Sequence, residues 1–227
     1  MTDALPIEPG PCLWLLPDPA DAEPGEDVVA VGADLEPATV LDAYRRGMFP
    51  MHLASGPLAW WSPDPRGVLP LDALRVSRSL QRSCRRFTCS LDVDFAGVMA
   101  ACREGRTDGA WITDEFVATY TRLHQLGWAH SIEVWDDADL VGGLYGIEVG
   151  GLFAGESMFH RTRDASKVAL VELVRRLAGA SGPTSQRLLD VQWRTDHLGS
   201  LGACEIPRQA YLERLATALA LPPALGG

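Results

Sequence analysis

The sequence lacks the features that mark membrane, secreted and zinc-knuckle proteins. No apolar run approaches the ~18 residues that a membrane-spanning helix needs, so we expect no membrane partner. The opening stretch MTDALPIEPG has neither a basic segment nor an apolar one, and it therefore does not indicate a secretory signal. The five cysteines are scattered and never spaced C-x-x-C, which favours reduced thiols, a cytoplasmic location and no zinc knuckle.

Motifs of the common catalytic and cofactor sites are also missing. The five histidines show no H-E-x-x-H spacing, GGLYG at 142–146 does not open a helix, and no glycine-rich loop ends in G-K-S or G-K-T. GESM at 155–158 does not match the G-x-S-x-G of a nucleophile elbow. We therefore expect no metal and no cofactor. Cys204 is a candidate nucleophile, although a lone cysteine is more often a small core residue.

The composition is that of a globular protein with a substantial core. The 227 residues allow one large domain or two smaller ones, and 47% of them are hydrophobic against 22% charged. The stretch LAWWSPDPRGVLP contains Pro63, Pro65 and Gly67, which exclude long regular structure there. We place a domain boundary near Asp64, with a small N-terminal domain at 1–64 and a larger domain at 65–227.

Hydrophobic periodicity divides the chain into helices and strands. Apolar residues recur at helical spacing in the segments 36–50, 76–87, 94–105, 113–127, 164–180 and 207–220. They alternate as in strands in the segments 87–92, 130–135, 140–149, 151–159 and 187–193. The turns between the middle three strands are short enough only for antiparallel hairpins. This order predicts an α+β fold with a central mixed sheet flanked by helices.

One basic stripe lies in an otherwise acidic chain, whose formal net charge is −10. Arg75 precedes a predicted helix with four more arginines at helical spacing, which are Arg78, Arg82, Arg85 and Arg86. No Asp or Glu lies between the first and the last of these five. Because a guanidinium group matches the geometry of phosphate oxygens, the stripe is a candidate phosphate-binding surface. A plain solvated helix face is the alternative.

A carboxylate interrupts an apolar strand in LFAGESMF. Strand alternation puts Ala154, Glu156 and Met158 on one face and Phe153 on the other. A carboxylate beside apolar side chains is costly unless it meets a donor or a ligand ammonium group. The pattern predicts a pocket that is floored by glycines and lined by Phe and Met, in which Glu156 holds an amine. A glutamate at the sheet edge that reaches water is the alternative.

A carboxylate and an amide interrupt the next strand, LLDVQW. Asp190 and Gln192 share one face of this strand, while the residues around them are those of a buried strand. Either the two side chains act together on a substrate, or Asp190 caps a neighbouring helix and Gln192 satisfies a sheet edge.

A series of motifs follows one order along the chain. They are GMFP, WWSPDPRGVLP, SRSL, WIT, LHQLGWAHSIEVW, LVGGLYG, FAGESMF, ASKVAL and HLGSLGACEIPR. This series closely resembles the leucyl/phenylalanyl-tRNA–protein transferases from about Gly32 to Tyr211. The sequence departs from the family pattern at Met51, where a Trp usually follows FP, and at Trp128, where His is usual.

The resemblance implies a small N-terminal domain joined to an N-acetyltransferase-like domain. It implies an enzyme that moves Leu or Phe, and less well Met, from its tRNA to the N-terminal Arg or Lys of a protein. The new N-terminal residue marks that protein for proteolysis. The acyl donor is an aminoacyl-tRNA and not a coenzyme, so the resemblance implies no cofactor. We expect a monomer in the cytoplasm.

Several residues match positions that bind substrates in the family. The cluster that resembles its tRNA-binding arginines consists of Arg78, Arg82, Arg85 and Arg86. Trp111 of WIT looks like the aromatic residue near the 3′-terminal adenosine of the tRNA. Glu156 is similar to the carboxylate of the aminoacyl pocket, and its expected walls are Leu144, Phe153 and Met158.

Asp190 and Gln192 match the D-x-Q pair at the reaction centre of the family. The ester of an aminoacyl-tRNA is already activated, so the site must only hold the incoming α-amine, remove a proton and fix the geometry of attack. An amide is too weak a base to hold a proton at neutral pH. We therefore expect Gln192 to accept an N–H hydrogen bond and aim the lone pair. Asp190 then orients Gln192 or takes the proton through water, and a ribose hydroxyl of the donor is a third route.

Two other classes of function fit parts of the sequence. An acyl-CoA N-acetyltransferase would share the fold, but the sequence provides no pyrophosphate loop for the coenzyme. A non-catalytic binder of peptide or tRNA would be indicated if substitutions at Asp190 and Gln192 changed binding and left turnover intact. The fold alone does not separate these classes.

Overall fold

The described part of the molecule, residues 5–104 and 112–226 of a computed structural model, forms two sheets with helices packed on them. The helices are α1 (Pro37–Arg45), α2 (Arg78–Arg86), α3 (Phe95–Glu104), α4 (Asp114–Gln125), α5 (Ala165–Gly179), α6 (Asp196–Ser200) and α7 (Arg208–Leu219). The strands are β1 (Val28–Val31), β2 (Phe49–His52), β3 (Leu58–Trp61), β4 (Arg66–Val68), β5 (Thr88–Leu91), β6 (Ala129–Asp136), β7 (Asp139–Val149), β8 (Leu152–His160), β9 (Leu188–Gln192) and β10 (Cys204–Ile206).

The larger sheet has seven strands in the order β10-β4-β9-β8-β7-β6-β5. All neighbouring strands are antiparallel except β8 and β9, which run parallel. A parallel pair requires a crossover connection, and α5 supplies it between these two strands. The hairpins β6–β7 and β7–β8 confirm the antiparallel arrangement predicted from the short turns.

Helices cover both faces of the larger sheet. On one face α1, α3 and α4 pack in a core that includes Tyr120 and Tyr145. On the other face α2 and α5 pack around Leu144, Phe153 and Leu173. Adjacent residues of β7, Leu144 and Tyr145, enter opposite cores as strand periodicity requires. The predicted fold class, α+β with a central mixed sheet flanked by helices, is confirmed.

The N-terminal part forms its own three-stranded antiparallel sheet, in the order β1-β3-β2. This sheet ends at Trp61, and the first strand of the larger sheet begins at Arg66. Val40 and Trp60 from the N-terminal part share one apolar core with the helices on the larger sheet. The two sheets therefore pack together, and the division into 1–64 and 65–227 stays a prediction.

Most of the shortest elements were not predicted from the sequence. They are β1, β2, β3, β4, β10 and α6, each of three to five residues. A segment this short shows too few repeats for its periodicity to be recognised. Pro50 lies inside β2, where the sequence pattern put the end of a helix. A proline is tolerated there because β2 is an edge strand.

Trp128 anchors the N-terminal segment to the end of α4. Its indole Nε1 donates to the Ile7 carbonyl at 2.8 Å, and the Ile7 N–H donates to the Leu126 carbonyl at 2.8 Å. The Arg45 guanidinium lies 5.1 Å from the centroid of the Trp128 ring. The departure from the family pattern at Trp128 therefore serves packing. The departure at Met51 lies in β2, where the Met51 carbonyl accepts from Trp61 Nε1 at 2.9 Å.

A buried arginine joins the N-terminal segment to α7. Arg208, the first residue of that helix, is 4% exposed. Its terminal nitrogens donate to four backbone carbonyls at 2.6–2.8 Å, those of Ala22, Glu23, Glu26 and Ser62. One side chain therefore satisfies acceptors from two separate loops.

Replacing this arginine should loosen the N-terminal segment. We expect Arg208→Met to lower the free energy of unfolding by about 3 kcal/mol, because partly buried carbonyls lose a charged donor. The measurement is urea unfolding, with Arg214→Met on the exposed face of the same helix as the control. The control should change stability by no more than about 0.5 kcal/mol. Equal losses in the two variants would show that the four hydrogen bonds contribute nothing.

Candidate active site

A cavity of about 260 Å³ opens between β8, β9 and α5. Five residues predicted for the site line it, namely Leu144, Phe153, Glu156, Met158 and Gln192. The rest of its wall is mostly apolar and includes Leu170, Leu173 and Val191. The structure thus brings together around one cavity the pocket residues that the sequence places on three separate strands.

The pairing of β7 with β8 slips by one residue at Glu156. Tyr145 pairs with Ser157, but the next residue of β7, Gly146, pairs with Gly155. Glu156 is therefore the extra residue of a β-bulge. Side chains of β8 that follow the bulge point to the opposite face from the one that strict alternation would give them.

This bulge corrects the predicted arrangement of the pocket walls. Phe153 and Met158 both belong to the core beneath α5, and both line the cavity. The prediction that they face opposite ways is wrong, because strict alternation does not continue through a bulge. The two side chains can therefore act as one wall.

Glu156 is buried, with 7% of its surface exposed. Its Oε1 accepts hydrogen bonds from the Tyr44 hydroxyl at 2.6 Å and from Gln192 Nε2 at 3.0 Å. Its Oε2 accepts from the Tyr120 hydroxyl at 3.1 Å. Burial raises the pKa of Glu156 to about 7, although the tyrosine hydrogen bonds oppose the shift. The carboxyl group is therefore balanced between its acid and carboxylate forms near neutral pH.

The hydrogen-bond geometry around Glu156 also favours its protonated form, apart from the effect of burial on its pKa. The hydroxyl oxygens of Tyr44 and Tyr120 are 2.7 Å apart, so the two phenols and the carboxyl make a triangle of close O···O contacts. Each phenol carries only one hydrogen. A proton on Glu156 supplies the missing hydrogen and makes every side of the triangle a hydrogen bond.

Asp190 is fully buried in an ion pair with Arg66 and is not among the residues that line the cavity. Arg66 Nε and Nη2 donate to its two oxygens at 2.9 and 2.6 Å. The Tyr211 hydroxyl donates at 2.9 Å, and the backbone N–H of Gln192 donates at 2.8 Å. These four donors occupy the acceptor sites of a carboxylate. The expectation that Asp190 takes a proton through water is wrong, because no lone pair is left for it.

Gln192 has a left-handed backbone with φ 63°, which is uncommon for a residue other than glycine. It ends β9 at a register shift opposite Gly67. A Cβ at Gly67 would lie 2.8 Å from Arg194 N, so this close approach requires glycine. The turn and the hydrogen bond to Asp190 direct Nε2 to Glu156. The amide oxygen is then the group that Gln192 offers to a ligand.

Four arginines of the stripe lie on α2, Arg75 precedes this helix, and all five are exposed. The Ser77 hydroxyl caps the helix by accepting the Leu80 N–H at 3.2 Å. Arg86 forms an ion pair with Asp136, a partner that the sequence alone does not reveal. Within the described ranges, no carboxylate lies in ion-pair range of the other arginines of α2, which are Arg78, Arg82 and Arg85.

One predicted site residue lies outside the described part of the chain, and two kinds of feature are not found among the described residues. Trp111, which the resemblance places near the terminal adenosine, lies outside the described residues. Among the residues that are described, no group of three His, Cys, Asp or Glu side chains is placed to hold a metal ion. The described helices include none that is long and apolar enough to span a bilayer.

Comparison with known proteins covers both parts of the chain. The family profile described as leucyl/phenylalanyl-tRNA protein transferase matches residues 68–216. The profile of the N-terminal domain of the same transferase matches residues 33–64. The chain belongs to the leucyl/phenylalanyl-tRNA protein transferase family. It is therefore an aminoacyltransferase, and the family name specifies an aminoacyl-tRNA and a protein as its substrates.

Individual transferases match along almost the whole chain. The leucyl/phenylalanyl-tRNA–protein transferase of Anaeromyxobacter dehalogenans (strain 2CP-C) is 49% identical over 227 residues, which cover 98% of this chain and 93% of the relative. The transferase of Shigella dysenteriae serotype 1 is 47% identical over 201 residues, covering 88% and 84%. A functionally unknown conserved protein from Staphylococcus epidermidis ATCC 12228 has a TM-score of 0.45 at 12% identity, over 79% of this chain and 68% of that one. This structural likeness is too weak to support a conclusion.

Sequence reasoning missed the residues that hold the polar side chains of this transferase in place. They are Tyr44, Arg66, Tyr120 and Tyr211. Arg66 and Asp190 are separated by 124 positions, a distance at which no spacing rule applies. One signal was present, because Arg66 stands inside the motif WWSPDPRGVLP that carries part of the resemblance.

The raised pKa of Glu156 makes the stability of the transferase depend on pH. Between the ordinary pKa of 4.5 and the folded value of about 7, the folded protein binds more protons than the unfolded chain. The stabilisation is complete below the lower value and is lost as pH rises through the upper one, by about 3 kcal/mol in total. Glu156→Gln cannot titrate and should lack this loss.

The measurement is urea unfolding of wild type and Glu156→Gln at pH 4.5 and 7.5. The stability of the variant relative to wild type should increase by about 3 kcal/mol between the two pH values. A difference that stays constant with pH would contradict the assigned pKa.

Proposed function

We propose that this enzyme transfers Leu or Phe, and less readily Met, from its tRNA to the N-terminal Arg or Lys of a protein. The product carries a new N-terminal residue that marks it for proteolysis. The enzyme acts as a monomer in the cytoplasm, without a cofactor and without a membrane partner. The observation that carries the proposal is a small, mostly apolar cavity whose lining includes the Glu156 carboxyl group and the Gln192 amide.

The cavity suits one aminoacyl side chain. Its volume of about 260 Å³ lies below the range of about 300–1,000 Å³ that is typical of sites for drug-sized ligands. Leu144, Phe153 and Met158 provide an apolar wall for the side chain of Leu, Phe or Met. Glu156 lies in the same cavity, where its carboxyl group can accept a hydrogen bond from the α-amino group of the aminoacyl ester.

The charge distribution supports two different partners. The exposed arginines of α2 suit the phosphates of the tRNA. The rest of the protein is strongly acidic, since the net charge is −10 even with this stripe included. A field of that sign favours the approach of an acceptor whose first residue is Arg or Lys.

The reaction is aminolysis of an ester. The acceptor nitrogen attacks the carbonyl carbon, the bond from that carbon to the ribose oxygen breaks, and the nitrogen gives up a proton. Gln192 accepts an N–H hydrogen bond from the acceptor through its amide oxygen, which aims the lone pair at the carbonyl. Asp190 acts indirectly, because it accepts a hydrogen bond from the Gln192 backbone N–H and so holds that backbone in place.

The direct test is transfer of labelled Leu from Leu-tRNA to a peptide that starts with Arg. We expect transfer to Arg-starting and Lys-starting peptides and none to the same peptide starting with Gly. Ile-tRNA and acetyl-CoA should not serve as donors. Equal labelling of the Gly peptide, or acetylation from the coenzyme, would contradict the proposal.

The arginine stripe should control tRNA affinity. Arg82→Glu with Arg85→Glu should weaken binding of every tRNA about equally, because phosphate contacts position the ligand without reading its sequence. Each lost contact should flatten the slope of log K against log salt by roughly 0.7–0.9. Filter binding over a series of salt concentrations measures both quantities. Arg122→Glu with Arg214→Glu is the control, and a slope unchanged in the α2 variant would refute the assignment.

Met158 and Phe153 should select the donor by shape. Leu, Phe and Met are unbranched at Cβ, and we expect the wall formed by these two residues to exclude the Cβ branch of Ile or Val. Met158→Ala should raise transfer from Ile-tRNA relative to Leu-tRNA by roughly tenfold. Phe153→Ala should act in the same direction but also destabilise the core by about 3–5 kcal/mol.

The measurement is the ratio of kcat/KM for the two donors, with Met51→Ala as the control because Met51 is not among the residues lining the cavity. A ratio that stays at the wild-type value in both pocket variants would show that the wall lies elsewhere.

Asp190 and Gln192 should act as a unit on the acceptor amine. Asp190→Asn and Gln192→Ala should each lower the transfer rate by roughly 10²–10⁴, the range for loss of a positioned group. The double variant should lose less than the product of the two losses. Single-turnover transfer at saturating Phe-tRNA, beside a tRNA-binding titration, measures this. If the losses multiply, or if affinity falls as far as the rate, the two residues do not act together on the acceptor.

A further inference from the structure

The helix α6 places a histidine at the mouth of the cavity. His197 lines the cavity together with Thr195 and Leu198, and Gln192 lies five positions earlier in the same wall. The Thr195 hydroxyl caps α6 by accepting the Leu198 N–H at 3.2 Å. Leu198 packs on the core beneath α5. The cap and the apolar contact hold the backbone of this short helix beside the cavity, and the His197 side chain is exposed at the cavity mouth.

The other polar groups near the reaction centre are poorly suited to take a proton. Asp190 already accepts four hydrogen bonds and is not among the residues that line the cavity. The Gln192 amide is not a base at neutral pH. Glu156 is bound to two phenols and an amide in an arrangement that favours its protonated form. Among the described lining residues the other titratable group is Tyr145, and a phenol keeps its proton at neutral pH.

The surroundings of His197 keep its imidazole available. Partial burial lowers the pKa of His197, and coulombic interactions with Lys167 on α5 and with His160 at the end of β8 lower it further. Asp164 pairs with Lys167 at 3.3 Å, while Arg194 packs beside Gly199 on α6. Asp196, the preceding residue, is exposed. A neutral imidazole at physiological pH has a free lone pair and is a competent general base.

We propose that His197 is the catalytic base that takes the proton from the acceptor amine. This inference rests on the proposed function. The neutral amine attacks the ester carbonyl, and the imidazole removes one proton from nitrogen as the C–N bond forms. The C–O bond to the ribose then breaks, and the imidazolium returns that proton to the departing ribose oxygen. Ester and amine become amide and free hydroxyl, with no proton left over.

This assignment gives three polar residues of the cavity separate tasks. Gln192 aims the nitrogen, Glu156 holds the donor, and His197 moves the proton. About a tenth of the α-amino groups of free peptides are unprotonated at pH 7, since their pKa is about 8. The base is therefore needed less to form the free amine than to remove the proton that bond formation makes acidic. Its loss should be felt even at high pH.

The test is single-turnover transfer from saturating Leu-tRNA to an Arg-starting peptide, with His197→Ala and His197→Gln. We expect each variant to lose at least about 10² in rate at pH 7.5 and still about tenfold at pH 9. Added imidazole should restore at least about tenfold to His197→Ala and nothing to wild type. The tRNA affinity and the urea unfolding curve should match those of wild type. Asp196→Asn, at the exposed residue that precedes His197 and outside the cavity lining, is the control and should keep the wild-type rate.

Two results would overturn the assignment while leaving the function intact. One is a loss below tenfold in both variants at pH 7.5. The other is a large loss in His197→Ala that added imidazole does not restore, which would indicate a structural role. If wild type itself fails to transfer Leu, the proposed function fails and not this assignment. Should His197→Ala fail to fold, the rate of His197→Gln decides by the same tenfold limit.

Discussion

The arrangement of the active site depends on one buried ion pair, between Arg66 and Asp190. Removing two charges from water is costly, and here the cost is offset by a bidentate contact and by the Tyr211 hydroxyl. The rings of Phe49 and Tyr211 flank the guanidinium at 4.8 and 4.5 Å. The pair links β4 to β9, and its carboxylate also accepts the Gln192 N–H. A buried contact that does not line the cavity thus sets the direction of the Gln192 side chain, which does.

The polar residues of the site form two groups, which differ in burial. Asp190 and Arg66 are fully buried and hydrogen-bonded to each other, so they are suited to positioning Gln192. Glu156 and Gln192 line the cavity, and each keeps a group that a ligand can meet. The bulge at Glu156 makes this division possible, because the extra residue turns the carboxyl toward Tyr44 while its neighbours keep the apolar wall.

Much of the fold and of the site could be predicted from the sequence, for definite physical reasons. Long segments such as α5 and β7 repeat their period often enough to be recognised. Motifs placed Glu156 and Gln192 at the site. The local sequence pattern failed at Glu156, where one extra residue shifts the alternation of side chains along β8. It also failed for Arg66 and Asp190, because these ion-pair partners are far apart in the sequence. A bulge and a tertiary ion pair are properties of two segments at once, which a single stretch of sequence cannot show.

The claim that the ion pair positions Gln192 can be tested by replacing both charges at once. Arg66→Met with Asp190→Leu exchanges the pair for apolar side chains of similar size, a change that proteins often tolerate. It removes the acceptor of the Gln192 N–H. The measurement is a crystal structure of this variant. The account predicts that Gln192 leaves φ 63° and that its Nε2 moves from 3.0 Å to beyond about 3.5 Å from Glu156 Oε1. A structure in which Gln192 keeps its φ and its hydrogen bond would contradict it.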